Sequence, residues 1–527
     1  MLTFDCNMTN LVINLNFTSQ FSFNLPPLRK MIRLTPLVIL LLLLTLSLNL
    51  SFAQKIKLRI SLEEAIEIAK DQSPSALVAK HNFLASYWQF RAFRAQLLPS
   101  LNLSATLGNY NRSLVPLQNS ETGEINYVAN NNMKNSLSLS IDQNIALTGG
   151  RVSLFTSLYR LDQFDSGLPA TYNSQPINIT YIQPLRTYNN LKWDKVTEPK
   201  RYERSKRRYL EQMENITGNV IPLYFDVLQA QQRLAMSSKN YDNTVALYKL
   251  TKERYERGMV SKNDVLQLEL RMINENLSIN DHKLNLDMRM LRLKTYMGYN
   301  EHVELELVVP ESGPGITLNF DEVLEKAYKN SSFLLDNELE LLGAEQEVER
   351  NKANTGIQAN LNAQFGLTQQ GDDLGTAYSN PMDQQIVSLG LRLPIIDWGL
   401  GKGRVKMAKS RQELIKAQVD QELNEFKQNV FIKVIQFNNQ VEQCNLSARA
   451  DSIALERYEN ARQRFMDGTI GVTELNNAQN EKDQASNRFI SDLGNFWQYY
   501  FNIRRMSLYD YLSRKDLSAE FDKMVGN

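Results

Sequence analysis

Asn102 to Gly108 reads NLSATLG and Asn360 to Gly366 reads NLNAQFG, and these two stretches decide the fold. Around the first, Leu101, Leu103, Ala105 and Leu107 alternate with Asn102, Ser104 and Thr106. Around the second, Ala359, Leu361, Ala363, Phe365 and Leu367 alternate with Asn360, Asn362 and Gln364. A period of two places apolar side chains on one face of a strand and polar ones on the other. The stretches lie 258 residues apart, and the same separation aligns Leu62 to Ser73 (LEEAIEIAKDQS) with Phe320 to Ser331 (FDEVLEKAYKNS), with Glu64, Glu67, Ala69 and Ser73 matched identically. Farther along, Arg254 to Val265 (RYERGMVSKNDV) aligns with Arg464 to Leu475 (RFMDGTIGVTEL) at a separation of 210. The chain reads as a tandem duplication with unequal loops.

Working outward, each half opens with a helical segment, Leu62 to Leu97 broken near Pro74, and Phe320 to Ala353. Returning strands follow each alternating stretch: Leu137, Leu139 and Ile141 alternate with serines, and Val387, Leu389, Leu391 and Leu393 alternate with Ser388, Gly390 and Arg392. Val152 to Tyr159 and Ile177 to Tyr181 suggest an extra hairpin in the first half. Long helices are then expected over about Lys200 to Arg257 and Lys402 to Phe465, which at ~1.5 Å per residue reach roughly 85 to 95 Å. Val419, Leu423, Phe426, Val430, Val434, Phe437 and Val441 form a narrow apolar stripe of coiled-coil type on the second, so it must pack sideways against similar helices. Helical periodicity resumes over Lys262 to Met297 and Val472 to Leu508, making Gly258 and Gly468 the turns of two helix hairpins.

The apolar run Leu37 to Leu48, preceded by Arg33 and followed by Ser51-Phe52-Ala53, has the pattern of a secretory signal peptide, so a mature chain from Gln54 is expected. The competing reading, an uncleaved anchor, asks for about 20 apolar residues. Residues 1 to 30 precede an internal methionine, Met31, and are set aside as a leader. The expected divisions are therefore 1–53 leader and signal peptide, 54–315 first repeat, 316–510 second repeat and 511–527 tail. After Gln54 no apolar run of transmembrane-helix length occurs, and mean hydropathy is -0.38. Any crossing of a membrane is left to strands. Lys and Arg number 59 against 58 Asp and Glu, so no basic footprint points to nucleic acid. Cys6 and Cys444 leave the mature chain one cysteine and no disulfide, and no cysteine stands at the cleavage site for lipid attachment.

Two-faced strands of roughly ten residues suit a transmembrane barrel with a wet interior. The ordinary alternative is a soluble sheet with its apolar face on a core. Four to six strands are too few to close a channel, and open sheet edges are not tolerated in lipid, so several chains must pool strands. Three copies would supply about 12 to 18. The expected fold class is an α+β membrane protein, a tandem duplication whose transmembrane β-barrel (4 to 6 strands per chain), closed by strands pooled from several copies, continues into a long α-helical coiled-coil barrel.

Two repeats of helix, strand pair, long helix and Gly-tipped hairpin resemble the TolC-like outer-membrane efflux proteins across nearly the whole mature chain. Pro394-Ile395-Ile396-Asp397-Trp398-Gly399 is similar to the family's P-L-F-D-x-G element, and Arg464-Phe-Met-Asp-Gly468 to its R-Y-x-x-G tip. In the first half Asn144 to Gly150 departs from the former element, and Gln183-Pro184-Leu185 resembles its start. The resemblance implies a homotrimer in outer-membrane lipid whose helical tube crosses the periplasm to meet a periplasmic adaptor (membrane fusion) protein and an inner-membrane RND or ABC pump. It implies an exit channel for tripartite efflux or type I secretion. It places Arg257, Gly258, Met259, Asp467, Gly468 and Thr469 at adaptor-docking tips, and Asp264 and Glu474 at carboxylate rings of a periplasmic gate. Against these roles, a turn needs glycine without needing a partner, and an acid early in a helix also serves the helix dipole. Asn477 stands where many relatives carry a second acid, which would weaken the gate.

No enzyme, metal site or cofactor is expected. His81, His282 and His302 lack metal-ligand spacing. Gly399-Leu-Gly401-Lys402-Gly403 has Gly where a phosphate loop needs Ser or Thr. The charged run Glu338 to Arg350 reads as a solvated helix face. The alternative function is an exported coiled-coil scaffold or tether, which explains the helices and leaves the alternating strands without a purpose.

Overall fold

The computed structural model describes residues 56–526 apart from 119, 121, 165, 166, 168, 300–302 and 311–314. The expected leader and cleavage site after Ala53, and His302, lie outside the described residues. The chain opens with β1 (Ile56–Ile60), α1 (Leu62–Gln72) and α2 (Pro74–Gln96). Ser61 and Glu64 form a capping box at the start of α1. Ser73 ends α1 and starts α2, its hydroxyl accepting the Ala76 N–H at 3.1 Å. Pro74 follows at a first helical position, where its missing N–H costs nothing. That is the break expected there.

Then come β2 (Ser100–Gln118), β3 (Ile125–Ile145), β4 (Gly150–Gln163), β5 (Thr171–Pro184), α3 (Asn190–Glu256), α4 (Lys262–Met297) and β6 (Val303–Leu307), which pairs with β1. The second half supplies α5 (Phe320–Asn330), α6 (Phe333–Thr355), β7 (Gln358–Gly371), the one-turn α7 (Thr376–Ser379), β8 (Met382–Arg392), α8 (Leu400–Met466) and α9 (Val472–Ser507). Short strands β9 (Tyr509–Asp510) and β10 (Lys515–Asp516) pair with each other, and α10 (Phe521–Val525) follows. The helix lengths recur half by half: 11 residues in α1 and α5, 23 in α2 and α6, 67 in α3 and α8, 36 in α4 and α9.

Six strands form one antiparallel sheet in the order β2-β3-β4-β5-β7-β8, so the extra first-half hairpin is part of the same sheet. Leu101, Ile141, Leu154, Ile179 and Phe365 are successive cross-strand partners and all are exposed. One sheet face is thus an apolar surface that nothing among the described residues covers. At 19 and 21 residues, β2 and β3 are about twice the expected length. The Asn-rich runs Asn109 to Arg112 and Asn130 to Asn135 hide the alternation, yet their backbones pair normally, as in Arg112 against Asn131. A ladder needs backbone groups, whatever the side chains.

The helical core gathers Val220, Tyr224, Val434, Phe437, Leu493 and Phe496 from α3, α8 and α9. The Tyr224 hydroxyl lies 3.0 Å from the Ile60 carbonyl and 2.6 Å from that of Val308, tying β1 and the end of β6 to the bundle. Burial pushes that hydroxyl well above the ordinary tyrosine range. On α8 the stripe residues Val419, Val430, Val434, Phe437 and Val441 are buried, with Leu423 and Phe426 half-buried. Helix α3 begins ten residues before the expected Lys200 and carries Pro199 and Pro222 inside it. Proline deletes a hydrogen bond from the ladder. Here the Asn189 cap and the packing of Ile216 to Leu228 carry the helix through both positions.

Candidate functional site

Both hairpin tips are built the same way. At the end of α3, Arg257 is the cap, Gly258 takes φ 76, and the amides of Gly258 and Met259 bond the carbonyls of Tyr255 and Arg254 at 2.8 and 2.9 Å. At the end of α8, Asp467 is the cap, Gly468 takes φ 77, and the amides of Gly468 and Thr469 bond Phe465 and Arg464 at 3.0 and 2.9 Å. This is the paired 6→1 and 5→2 closure that satisfies the last carbonyls of a helix. Arg257, Gly258, Met259, Asp467, Gly468 and Thr469 are all exposed.

The chemistry beyond the turns differs. Ser261 caps α4 in a box with Asp264, whose carboxylate accepts from the Ser261 N–H at 3.1 Å and hydroxyl at 2.7 Å. At the start of α9, Gly471 offers no side-chain cap, and Glu474 pairs with Arg464 of its own hairpin at 3.4 Å. Both acids occupy the third position of their helices, so each carries a local bond in addition to any role at an opening. Arg254, which matches Arg464, crosses to the other hairpin and donates to the carbonyls of Met466 at 2.6 Å and Phe465 at 3.3 Å. A separate apolar cluster of Leu247, Leu268, Tyr458, Phe465, Val472 and Leu475 packs the hairpins together behind the tips.

A polar layer beside that cluster escaped the sequence reading. Arg271 on α4 donates to Asn476 on α9 and lies 3.7 Å from Glu275. Asn240 on α3 donates to Asp483 at 2.8 Å. Burial lowers the Arg271 guanidinium from its usual value and raises the Glu275 carboxyl, each opposed by the other's charge. Charged residues on a polar helix read as solvated, and only the crossing of the hairpins turns these inward. On α4 the apolar Leu266, Leu270, Ile273, Leu277, Leu284, Met288 and Leu291 remain exposed. Their spacing of threes, fours and a seven is that of a coiled-coil seam.

At the passage from β8 to α8, the Asp397 carboxylate accepts from the N–H groups of Gly399 and Gly401, both at 2.9 Å. Those two bonds hold the carboxyl below the usual range. The glycine-rich stretch 399–403 thus has its helix start occupied by its own acid, which a phosphate loop would leave open. His81 is exposed on α2 and His282 half-buried on α4. Among the described residues no group of His, Cys, Asp and Glu is arranged to hold a metal, and no helix is long and apolar enough to cross a membrane.

The geometry has counterparts. Solved structures with the same fold include the Campylobacter jejuni CmeC outer membrane channel, at 15% identity and TM-score 0.61 over 88% of each chain. The Vibrio cholerae outer membrane protein VceC matches at 14% identity and TM-score 0.59, over 85% of this chain and 95% of that one. The open state of the Neisseria gonorrhoeae MtrE outer membrane channel matches at 15% identity and TM-score 0.53, over 85% of this chain and 88% of that one. No curated protein sequence matches significantly. The family model described as outer membrane efflux protein matches residues 151–299 and 326–506, more than half of the 527 residues, and the chain belongs to that family.

Proposed function

We propose that this efflux-family protein is the exit channel of a tripartite efflux or type I secretion system, assembled as a homotrimer. The observation that carries the reading is the six-stranded sheet, with one exposed apolar face and two open edges, joined directly to helices of 67 residues. Three copies of the six strands make an eighteen-stranded wall, whose closure removes the edges that lipid forbids. The apolar face meets lipid, and the polar face lines water. The recurring helix lengths support a duplication, 54–315 and 316–510, so that each copy contributes two similar staves to the helical tube. The exposed seam on α4 supports lateral packing between copies.

In this assembly the tips at Arg257-Gly258-Met259 and Asp467-Gly468-Thr469 face the periplasm, where they meet an adaptor and through it an inner-membrane pump. Asp264 and Glu474, one turn beyond each tip, ring the mouth in three copies each and favour cations. The test is single-channel conductance of the detergent-extracted protein in planar bilayers, with mass measured in parallel, for the wild type, Asp264→Ala and Glu474→Ala. A conducting trimer whose cation preference falls in the variants is expected. A trimer with unchanged selectivity removes the gate, and a non-conducting monomer or dimer replaces the channel with the scaffold reading.

A further inference from the structure

The sheet ends in two edges, β2 and β8, and among the described residues neither has a strand on its outer side. Their backbone groups need partners. The chain already contains a junction of the same kind, where β5 of the first half meets β7 of the second. Strand β7 matches β2 at the separation of 258 that aligns Asn360 to Gly366 with Asn102 to Gly108. Strand β5 matches β8 at the separation of 210 that sets Pro184 on Pro394 and the helix starts Asn190 and Leu400 on each other. We propose that β8 of one copy pairs with β2 of a second copy in the register that β5 keeps with β7, placing Arg392 opposite Ser104, Gly390 opposite Thr106 and Leu389 opposite Leu107. The proposal rests on the trimeric-barrel reading and specifies how its subunits join.

The template pairs are Ile182 with Asn362, Thr180 with Gln364 and Ile179 with Phe365. Transfer by two different separations had no obligation to match faces, since a slip of one residue turns every side chain over. It does match them. Leu389, Leu391 and Leu393 fall opposite Leu107, Ala105 and Leu103, so the exposed apolar face runs on across the joint. Gly366 is a second check: a Cβ there would collide with the side chain of Asn178, its partner. Its match Gly108, at φ 69, has nothing within 4 Å of that position. The proposed register brings the small Ser388 opposite it, as Asn178 stands opposite Gly366.

Disulfide trapping tests the register. Leu185 N–H bonds the Ala359 carbonyl at 2.8 Å, so alternate pairs are the close, non-bonded kind, and Ile182 with Asn362 is one of them. Its transferred equivalent, Ser104→Cys with Arg392→Cys, has Cα atoms about 4.5 Å apart. Control pairs Ser104→Cys with Gly390→Cys, and Ser104→Cys with Pro394→Cys, are displaced by two residues to about 8 Å, beyond disulfide reach. The full chain is purified in detergent, its reduced mass measured, and oxidised with copper phenanthroline. The expected result is a trimer that becomes covalently three-chain only with the Ser104 and Arg392 pair. A reduced trimer that links through a displaced pair, or through none, overturns the register and leaves the barrel standing. If every variant and the wild type are monomeric, the barrel reading falls and takes the register with it.

Discussion

The two hairpin tips share a backbone and divide the bonding between them. Equal helices of 67 and 36 residues meet at glycines of nearly equal φ, and the same pair of amide bonds closes each turn. The first hairpin caps its return helix internally through Ser261 and Asp264, which leaves Arg254 to reach across to the second. The second has Gly471 in place of a capping side chain and keeps Arg464 on its own Glu474. The duplicated turn is symmetric, and the tie between the tips runs one way.

Replacing the matched arginines breaks this comparison most sharply. Arg254→Met removes charged hydrogen bonds to two helix-end carbonyls and should lower the local stability of the α8 to α9 tip by about 1.5 to 3 kcal/mol. Arg464→Met removes an ion pair whose side chains are 58% and 54% exposed and should cost less than about 1 kcal/mol. Amide exchange at Gly468 and Thr469 reads both, and equal effects would mean that Arg254 carries no tie. The glycines should behave alike: Gly258→Ala and Gly468→Ala each force a side chain into the left-handed region, at about 1 to 2 kcal/mol. A clear difference in tip exchange between the two variants would show that the turns are less equivalent than their geometry.

What the sequence made legible follows from the same contrast. The turns could be read because a left-handed residue calls for glycine, and Lys262 to Met297 came out at its observed bounds because its periodicity starts and stops at caps. The one-way tie could not be read, since Arg254 and Arg464 are alike in sequence and differ only in which carbonyls a folded neighbour brings near. The same limit hid Arg271, Asn476 and Asp483, which hairpin crossing leaves half-buried. Strand count was open because the extra first-half hairpin rested on Val152 to Tyr159 and Ile177 to Tyr181 around a Gly- and Pro-containing loop, and because Asn144 to Gly150 departs from the element seen in the second half, while the sheet places β4 and β5 between β3 and β7. Pro199 concealed the first ten residues of α3, where tertiary packing outweighs local propensity.

Exchanging the caps sharpens the comparison at smaller scale. Ser261→Ala removes the acceptor for the Asp264 N–H and should destabilise the first tip by about 1 kcal/mol, while Gly471→Ser should stabilise the second by a few tenths. Thermal unfolding of the detergent-solubilised protein, with exchange at residues 261–265 and 471–475, measures both. If Gly471→Ser also slows exchange around Arg254, the caps and the tie are coupled, and the division of bonding is a single property of the paired tips.

The smallest expected effect lies at the opposite ends of the long helices, where the halves again differ. Helix α3 starts from neutral Asn189, which accepts from the Lys192 N–H at 3.1 Å and donates to the Ala146 carbonyl at 2.9 Å. Helix α8 starts from the cap Gly399, two residues after Asp397, whose carboxyl is held low by the N–H groups of Gly401 and Gly399. A carboxyl depressed in the folded state contributes stability that is fully present above its ordinary value of about 4 and is lost as pH falls through the depressed one. Acidification should therefore lower the protection of the Gly399 and Gly401 amides, taken relative to the intrinsic exchange rate at each pH, while leaving that of Lys192 unchanged, and Asp397→Asn should abolish that pH dependence. An equal acid response at both helix starts would place the titration elsewhere, because Asn189 has no proton to gain in that range.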